Sequence, residues 1–289
     1  MPDMAAGAYD ASIPLSPDAV IRDRLDRGDV TVPVLPAVAG AALSLLNDPG
    51  ADSATIAATI RTDQSLAGHV MKFANSPLAR SGAPIVSLQQ AMARLGMRRI
   101  AEVALAACVG PKLFKAPAYA RLVDRTWNES LATALWAGEI ARGLRHNVEV
   151  SFLCGLLHQI GRPVVLQALQ ESLEAPGVAP AGTDPEALLE AHGAAAGLVV
   201  ARSWNLPDAV AETIAHIADF RAAPRAPERV ALVAAARAFA LLTLADGEPD
   251  AAALAALPEM AEINLYLADI EVLLAQLDAL RHTLVEMSL

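Results

Sequence analysis

Apolar residues recur along most of this chain at intervals of three and four, the spacing of helices with one buried face. Ser16, Pro17 and Gly28 mark the cap, first position and end of a first helix. The prolines of VPVLP make the next segment extended, because proline biases its predecessor away from helix. A helix over Ala37–Leu46 follows. Ser53 caps another with Ile56 and Ile60, and Asp63 caps a third with a stripe of Leu66, Val70 and Phe73. Ser87 opens a helix that stops at Gly96, and Met97–Val109 is a further, central one. One long helix is expected over Pro117–Leu144, with Trp127, Leu131, Leu135 and Trp136 near one face. A short one over Val148–Gln159 ends at Gly161. The stretch 175–185, rich in Pro and Gly, reads as a loop. Pro185 opens a helix to about Trp204, and Pro207 starts the next. RAAPRAPER (221–229) is the best linker candidate. Helices at about 228–245 and 259–287 follow, with Leu232, Ala236, Phe239, Leu273, Leu277 and Leu284 on their faces. These pack on the body or form a dimer seam.

Composition points the same way. Hydrophobic residues are 54% and charged residues 19% of 289, enough to bury a core and exclude a disordered chain. Ala makes up about a fifth, and Ala favours helix over strand. An all-α fold is therefore expected. The net charge of −10 argues against binding a phosphate backbone without sequence preference. Cys108 and Cys154 lie in apolar runs and read as buried thiols in a reducing compartment. The N-terminal segment has acids where a signal peptide needs bases, and Pro33 and Pro36 interrupt the longest uncharged stretch. The expectation is a cytoplasmic protein without membrane or nucleic-acid partners.

Six segments, in order, resemble the HDOD family, regulatory domains related to HD-type metal phosphohydrolases. They are LPAVAGAALSLLNDPGAD, IRTDQSLAGHVMKFANSP, SLQQAMARLGMRRI, WNESLATALWAGEIA, FLCGLLHQIG and HGAAAGLVVARSWNLPDAVAETIAHI. The resemblance implies a two-lobed helical bundle. Residues 1–28 would be a leader and first helix, and 29–222 the HDOD-like domain. Its N-terminal lobe would cover about 29–115 and its HD-like lobe about 116–222, with 223–289 a C-terminal helical extension. It also implies signal transduction, by protein–protein contact or ligand sensing, usually without catalysis.

An HD hydrolase gathers imidazoles and carboxylates around one or two metals, which lower the pKa of bound water. A carboxylate there supplies an oxygen ligand and offsets cationic charge. By the resemblance, the adjacent His-Asp pair reads His158-Gln159 here, and a neutral amide is the weaker ligand. Glu129 stands where the hydrolases have an upstream His. His192 matches a helix-opening histidine. His216 matches the first of a His-His pair whose second member is Ile217, and Asp219 follows as a late carboxylate. No cofactor is expected. If His158, His192 and His216 converge, they leave a place for a divalent metal. The bland alternative is that they persist as hydrogen-bonded core groups.

Other candidates carry less chemistry. Asn75 and Ser76 end a helix before Pro77, and Arg98 and Arg99 follow Gly96; all four are candidate inter-lobe contacts. His69, His146 and His282 read as structural or solvated. Walker, GxGxxG and GxSxG motifs are absent. The leading expectation is a non-enzymatic regulatory module with a protein partner and a degenerate metal site. A homodimer through the C-terminal helices is included in that reading. The alternatives are a residual phosphohydrolase and a nucleotide or second-messenger sensor using the His158, His192 and His216 cleft.

Overall fold

The computed structural model describes residues 16–47, 50, 53–79, 82–174 and 183–288. The leader 1–15, the acidic turn at 48–52 except Gly50, and most of the loop at 175–185 lie outside them. Among the described residues every regular element is helical. The helices are α1 (Pro17–Arg27), α2 (Ala37–Asn47), α3 (Ser53–Thr62), α4 (Gln64–Asn75) and α5 (Leu88–Cys108), then α6 (Ala120–Leu144), α7 (Val148–Leu157), α8 (Gly161–Leu173), α9 (Pro185–Ser203) and α10 (Asp208–His216). The chain closes with α11 (Pro227–Leu244), α12 (Ala251–Ala255), α13 (Pro258–Glu262), α14 (Leu267–Leu274) and α15 (Leu277–Ser288).

Local chemistry sets the helix starts. The side chains of Ser16, Asp63, Ser87, Asn147 and Asp184 each accept a backbone N–H in a first turn. Gly28, at φ 69°, closes α1 in the left-handed region. Gly96, at φ 78° and ψ 158°, breaks α5 into the two arms that the sequence indicates.

In the N-terminal lobe, α2 and α4 pack on α5. Its C-terminal arm buries Ile100, Val103 and Leu105. In the second lobe α6 packs on α7 and α11, and α8 on α9. The segment 148–173 is the only one among the described residues long and apolar enough to cross a membrane, and 94% of its most apolar window is buried inside the protein. Cys154 is fully buried, whereas Cys108 is only half-buried.

The structure decides three points. First, α11 packs on the body, one of the two arrangements expected of it. Trp136 on α6 donates its indole N–H to Thr243 at 2.7 Å and lies 4.8 Å from the Phe239 ring, both on α11. The supposed linker is pinned by one carboxylate: Glu212 accepts from the backbone N–H of Arg225 at 2.7 Å and of Ala226 at 3.1 Å, and from the Arg229 guanidinium at 2.6 Å. Leu232, Ala236, Phe239, Leu273, Leu277 and Leu284 are all buried within the single chain. Second, the helix expected at 259–287 is three, broken at Asn264, whose φ is 55°, and again before α15. Third, α8 was not expected at all.

The missed helix has a physical reason. Gly161 reads as a terminator, yet it opens α8, with Pro163 tolerated in the first turn. Glycine stands here because two backbones cross. A Cβ at Gly161 would lie 2.0 Å from the Gly193 oxygen and 2.2 Å from the Gly197 nitrogen, both on α9. Alanine there must push backbone apart, so Gly161→Ala is expected to destabilise by about 3 kcal/mol, the upper end of ordinary overpacking. Gly143→Ala, with nothing within 4 Å of the added Cβ, is the control and should not destabilise. Urea titration of both variants checks this. An unchanged Gly161→Ala midpoint would contradict the crossing.

Candidate functional site

The crossing fixes the turn between α7 and α8, and that turn carries His158 and Gln159. Facing it, α6 presents Glu129, only 7% exposed. Gln159 donates Nε2–H to Glu129 Oε1 at 2.5 Å, and Arg237 of α11 donates Nε–H to the same oxygen at 2.6 Å. Burial alone pushes the Glu129 carboxyl up. The Arg237 charge and the hydrogen bonds from Arg237 and Gln159 outweigh it and hold the group below its ordinary value. Breaking such a pair from one side typically costs about 3–5 kcal/mol. The Arg237 side chain is 38% exposed, which places this one at the low end.

His158 is 4% exposed. Its Nδ1–H donates to the Gly155 carbonyl at 2.7 Å, which leaves Nε2 as an acceptor, buried and without a partner. Burial pushes its pKa down to about 4, against the Gly155 hydrogen bond, and the Arg237 charge adds to the lowering. Beside these groups opens a cleft of about 390 Å³, lined by His158, Gln159, Arg162 and Arg237, by Glu190 and Gly193 of α9, and by apolar walls including Leu189 and Ile214.

The other two candidate histidines do not join this site. His192 Nε2 lies 2.8 Å from Asp18 Oδ1, so it docks α1 on α9. His216, half-buried at the end of α10, is not among the cleft's lining residues. Asp219 is exposed and lines the neighbouring groove, which shares Arg237 with the cleft. Among the described residues no three His, Cys, Asp or Glu side chains are placed to hold a metal. The imagined cleft of His158, His192 and His216 is thus corrected to one of His158, Gln159, Arg162 and Arg237. A metal of the HD type does not fit these donors. The one carboxylate beside His158 already holds a guanidinium, and its neighbour is an amide.

The candidate inter-lobe residues divide. Asn75 stays within its own lobe, donating to the carbonyls of Met71 at 3.1 Å and Ile85 at 2.9 Å and accepting from Ile85 N–H at 2.8 Å. Ser76 is fully buried beside it. Arg98 reaches Glu149 on α7 at 3.2 Å. Arg99 pairs with buried Glu102 and sits 4.9 Å from the Phe73 ring of one lobe and 5.7 Å from the Phe152 ring of the other. Burial pushes Glu102 up despite that pair.

Arg162 and Arg237 escape the motif reading. A signal was present nonetheless: Arg162 is the only Asp, Glu, Lys or Arg between Glu149 and Glu171, and Arg237 the only one between Arg229 and Asp246. A lone charge inside an apolar helix must find a partner or a ligand.

The site is thus a polar cleft at the His158-Gln159 turn of an all-helical bundle. The HDOD domain family model matches residues 32–220, and the chain belongs to that family. An HDOD domain protein of unknown function from Geobacter sulfurreducens superposes with a TM-score of 0.69 at 24% identity, over 93% of this chain and 97% of that one. A Shewanella amazonensis protein, provisionally described as a metal-dependent phosphohydrolase, gives 0.66 at 21% identity, over 93% and 95%. At these identities the likeness establishes the fold alone. An uncharacterised protein of Treponema pallidum is 26% identical over 240 residues, 80% of this chain but 45% of its own length. The chain therefore spans less than half of that relative.

A pH dependence follows from His158. The unfolded chain binds its proton near the ordinary 6.5, whereas the folded site resists protonation down to about 4. The unfolded state thus holds more protons between these values, and stability falls as pH drops through that window. His158→Asn keeps a donor toward Gly155 and removes the ring, so its unfolding free energy should fall less steeply from pH 6.5 to 4. Parallel curves for the two proteins would contradict a neutral buried imidazole.

Proposed function

We propose that this chain is a regulatory module of bacterial signal transduction that acts through a partner protein and does not hydrolyse phosphoesters. One observation carries the non-hydrolytic part: the cation beside Glu129 is the Arg237 guanidinium. A built-in cation satisfies the carboxylate without a metal, and Gln159 completes the pair through a neutral amide. Metal-activated water would need a lower charge nearby and more anionic donors than this set supplies. Membership of the HDOD family supports the regulatory part. So does the description of a Marinobacter aquaeolei protein of the same fold as provisionally a signal transduction protein, with a TM-score of 0.64 at 20% identity.

The test pairs metal content with turnover. Untagged protein, purified and then offered Mn²⁺, Fe²⁺ or Zn²⁺, should retain less than stoichiometric metal by plasma mass spectrometry. It should also release no nitrophenol from bis-p-nitrophenyl phosphate or p-nitrophenyl phosphate. Turnover that His158→Ala abolishes would overturn the reading in favour of a phosphohydrolase.

A further inference from the structure

The cleft holds groups that the packing leaves unused. Arg162 is half-buried, and among the described residues its guanidinium meets no carboxylate within ion-pair distance. Its stem runs along α9 where Gly193 makes room; a Cβ at Gly193 would lie 3.4 Å from Arg162 Cγ. Burial lowers the Arg162 pKa, the mark of a cation that has lost water without full compensation. Arg237 spends only its Nε–H on Glu129, and its terminal amino groups have no partner among the described residues. His158 lines the same cleft, and its Nε2 is buried without a partner, an acceptor because Nδ1 carries the proton.

Each feature costs stability in the empty protein. A half-buried cation with no carboxylate in ion-pair contact and a buried acceptor without a donor are both unfavourable. Their convergence on one cleft specifies a complement: negative charge for two guanidiniums, and an O–H or N–H for the imidazole. Leu189 and Ile214 offer apolar contact to a carbon skeleton between them. The volume of about 390 Å³ falls at the small end of ligand sites, which run from about 300 to 1,000 Å³. Glu190, exposed and also lining the cleft, disfavours a second anionic group on its side.

We propose that this cleft is the receptor site for a small organic anion whose phosphate or carboxylate lies between Arg162 and Arg237 and whose hydroxyl or amino group donates to His158 Nε2. The proposal rests on the non-hydrolytic reading of the same site and gives that module a small-molecule input.

Calorimetry and thermal unfolding of the full chain with inorganic phosphate, ribose 5-phosphate, AMP, L-malate and L-serine test it. Either the phosphate esters or the hydroxy and amino acids should bind saturably, more tightly than inorganic phosphate, and raise Tm as a ligand of the native state must. Which arm responds identifies the anion. Arg162→Gln should weaken that binding by about 10- to 100-fold, the range for a lost hydrogen bond to a charged group. It should leave the Tm of the free protein unchanged or higher, because it removes a charge whose loss of water is only partly offset. His158→Asn should weaken the hydroxylated or amino-bearing ligand but not inorganic phosphate. Absence of saturable binding by every probe, binding indifferent to Arg162→Gln, or a collapse of the free Arg162→Gln protein would each overturn the proposal. Binding accompanied by release of inorganic phosphate from an ester would instead defeat the non-hydrolytic reading and leave the anion site standing.

Discussion

A carboxylate taken out of water has to be met by cationic charge and hydrogen-bond donors, or it will not stay ionised. Glu129 imposes that condition on the centre of the second lobe. Its donors come from two other places in the chain: Gln159 in the turn between α7 and α8, and Arg237 in α11. The carboxylate therefore ties α6, the α7–α8 turn and α11 into one unit. In the reading proposed above, a site whose carboxylate already holds a guanidinium offers a cationic rim to ligands where a metal hydrolase would offer anionic donors to a metal.

The glycine crossing of α8 and α9 serves the same centre. It brings the turn close to α9, so that Arg162 and Gly193 share a wall of the cleft with His158. Helix α1 closes over the outer side. It packs on α8 and α9 through the Asp18–His192 contact at 2.8 Å and an Arg24–Glu171 ion pair at 2.7 Å. His192, a candidate ligand in the sequence, thus works as a fastening.

The two lobes meet through a few charged and aromatic contacts. Arg99 sits between Phe73 and Phe152, Arg98 reaches Glu149, and Trp204 donates its indole N–H to the Pro33 carbonyl at 2.9 Å in the extended segment before α2. Helix α15 adds a brace, packing on α4 of one lobe and α6 of the other. The C-terminal helices are thereby part of the body, although the family match ends at residue 220. Arg237 comes from beyond that match.

Much of the fold was legible in the chain because helices declare themselves locally. The caps at Ser16, Asp63 and Ser87, the break at Gly96 and the apolar stripe of Leu66, Val70 and Phe73 depend on near neighbours, and each stands in the structure as the residues indicate. The resemblance carried by the ordered motifs is what singled out His158, Gln159 and Glu129. What local pattern does not carry is which distant groups meet. Gly161 looks like a helix end until α9 is placed against it. His192 and His216 look like ligands until the packing turns one to Asp18 and leaves the other outside the cleft. Arg237 is one charge in an apolar helix until α11 lies on α6. The chain by itself determined most of the helices and pointed to Glu129 and the His158-Gln159 turn as site positions. Only the tertiary structure decided that an arginine answers the Glu129 carboxylate, because burial creates the demand for charge while through-space contact alone selects the group that meets it.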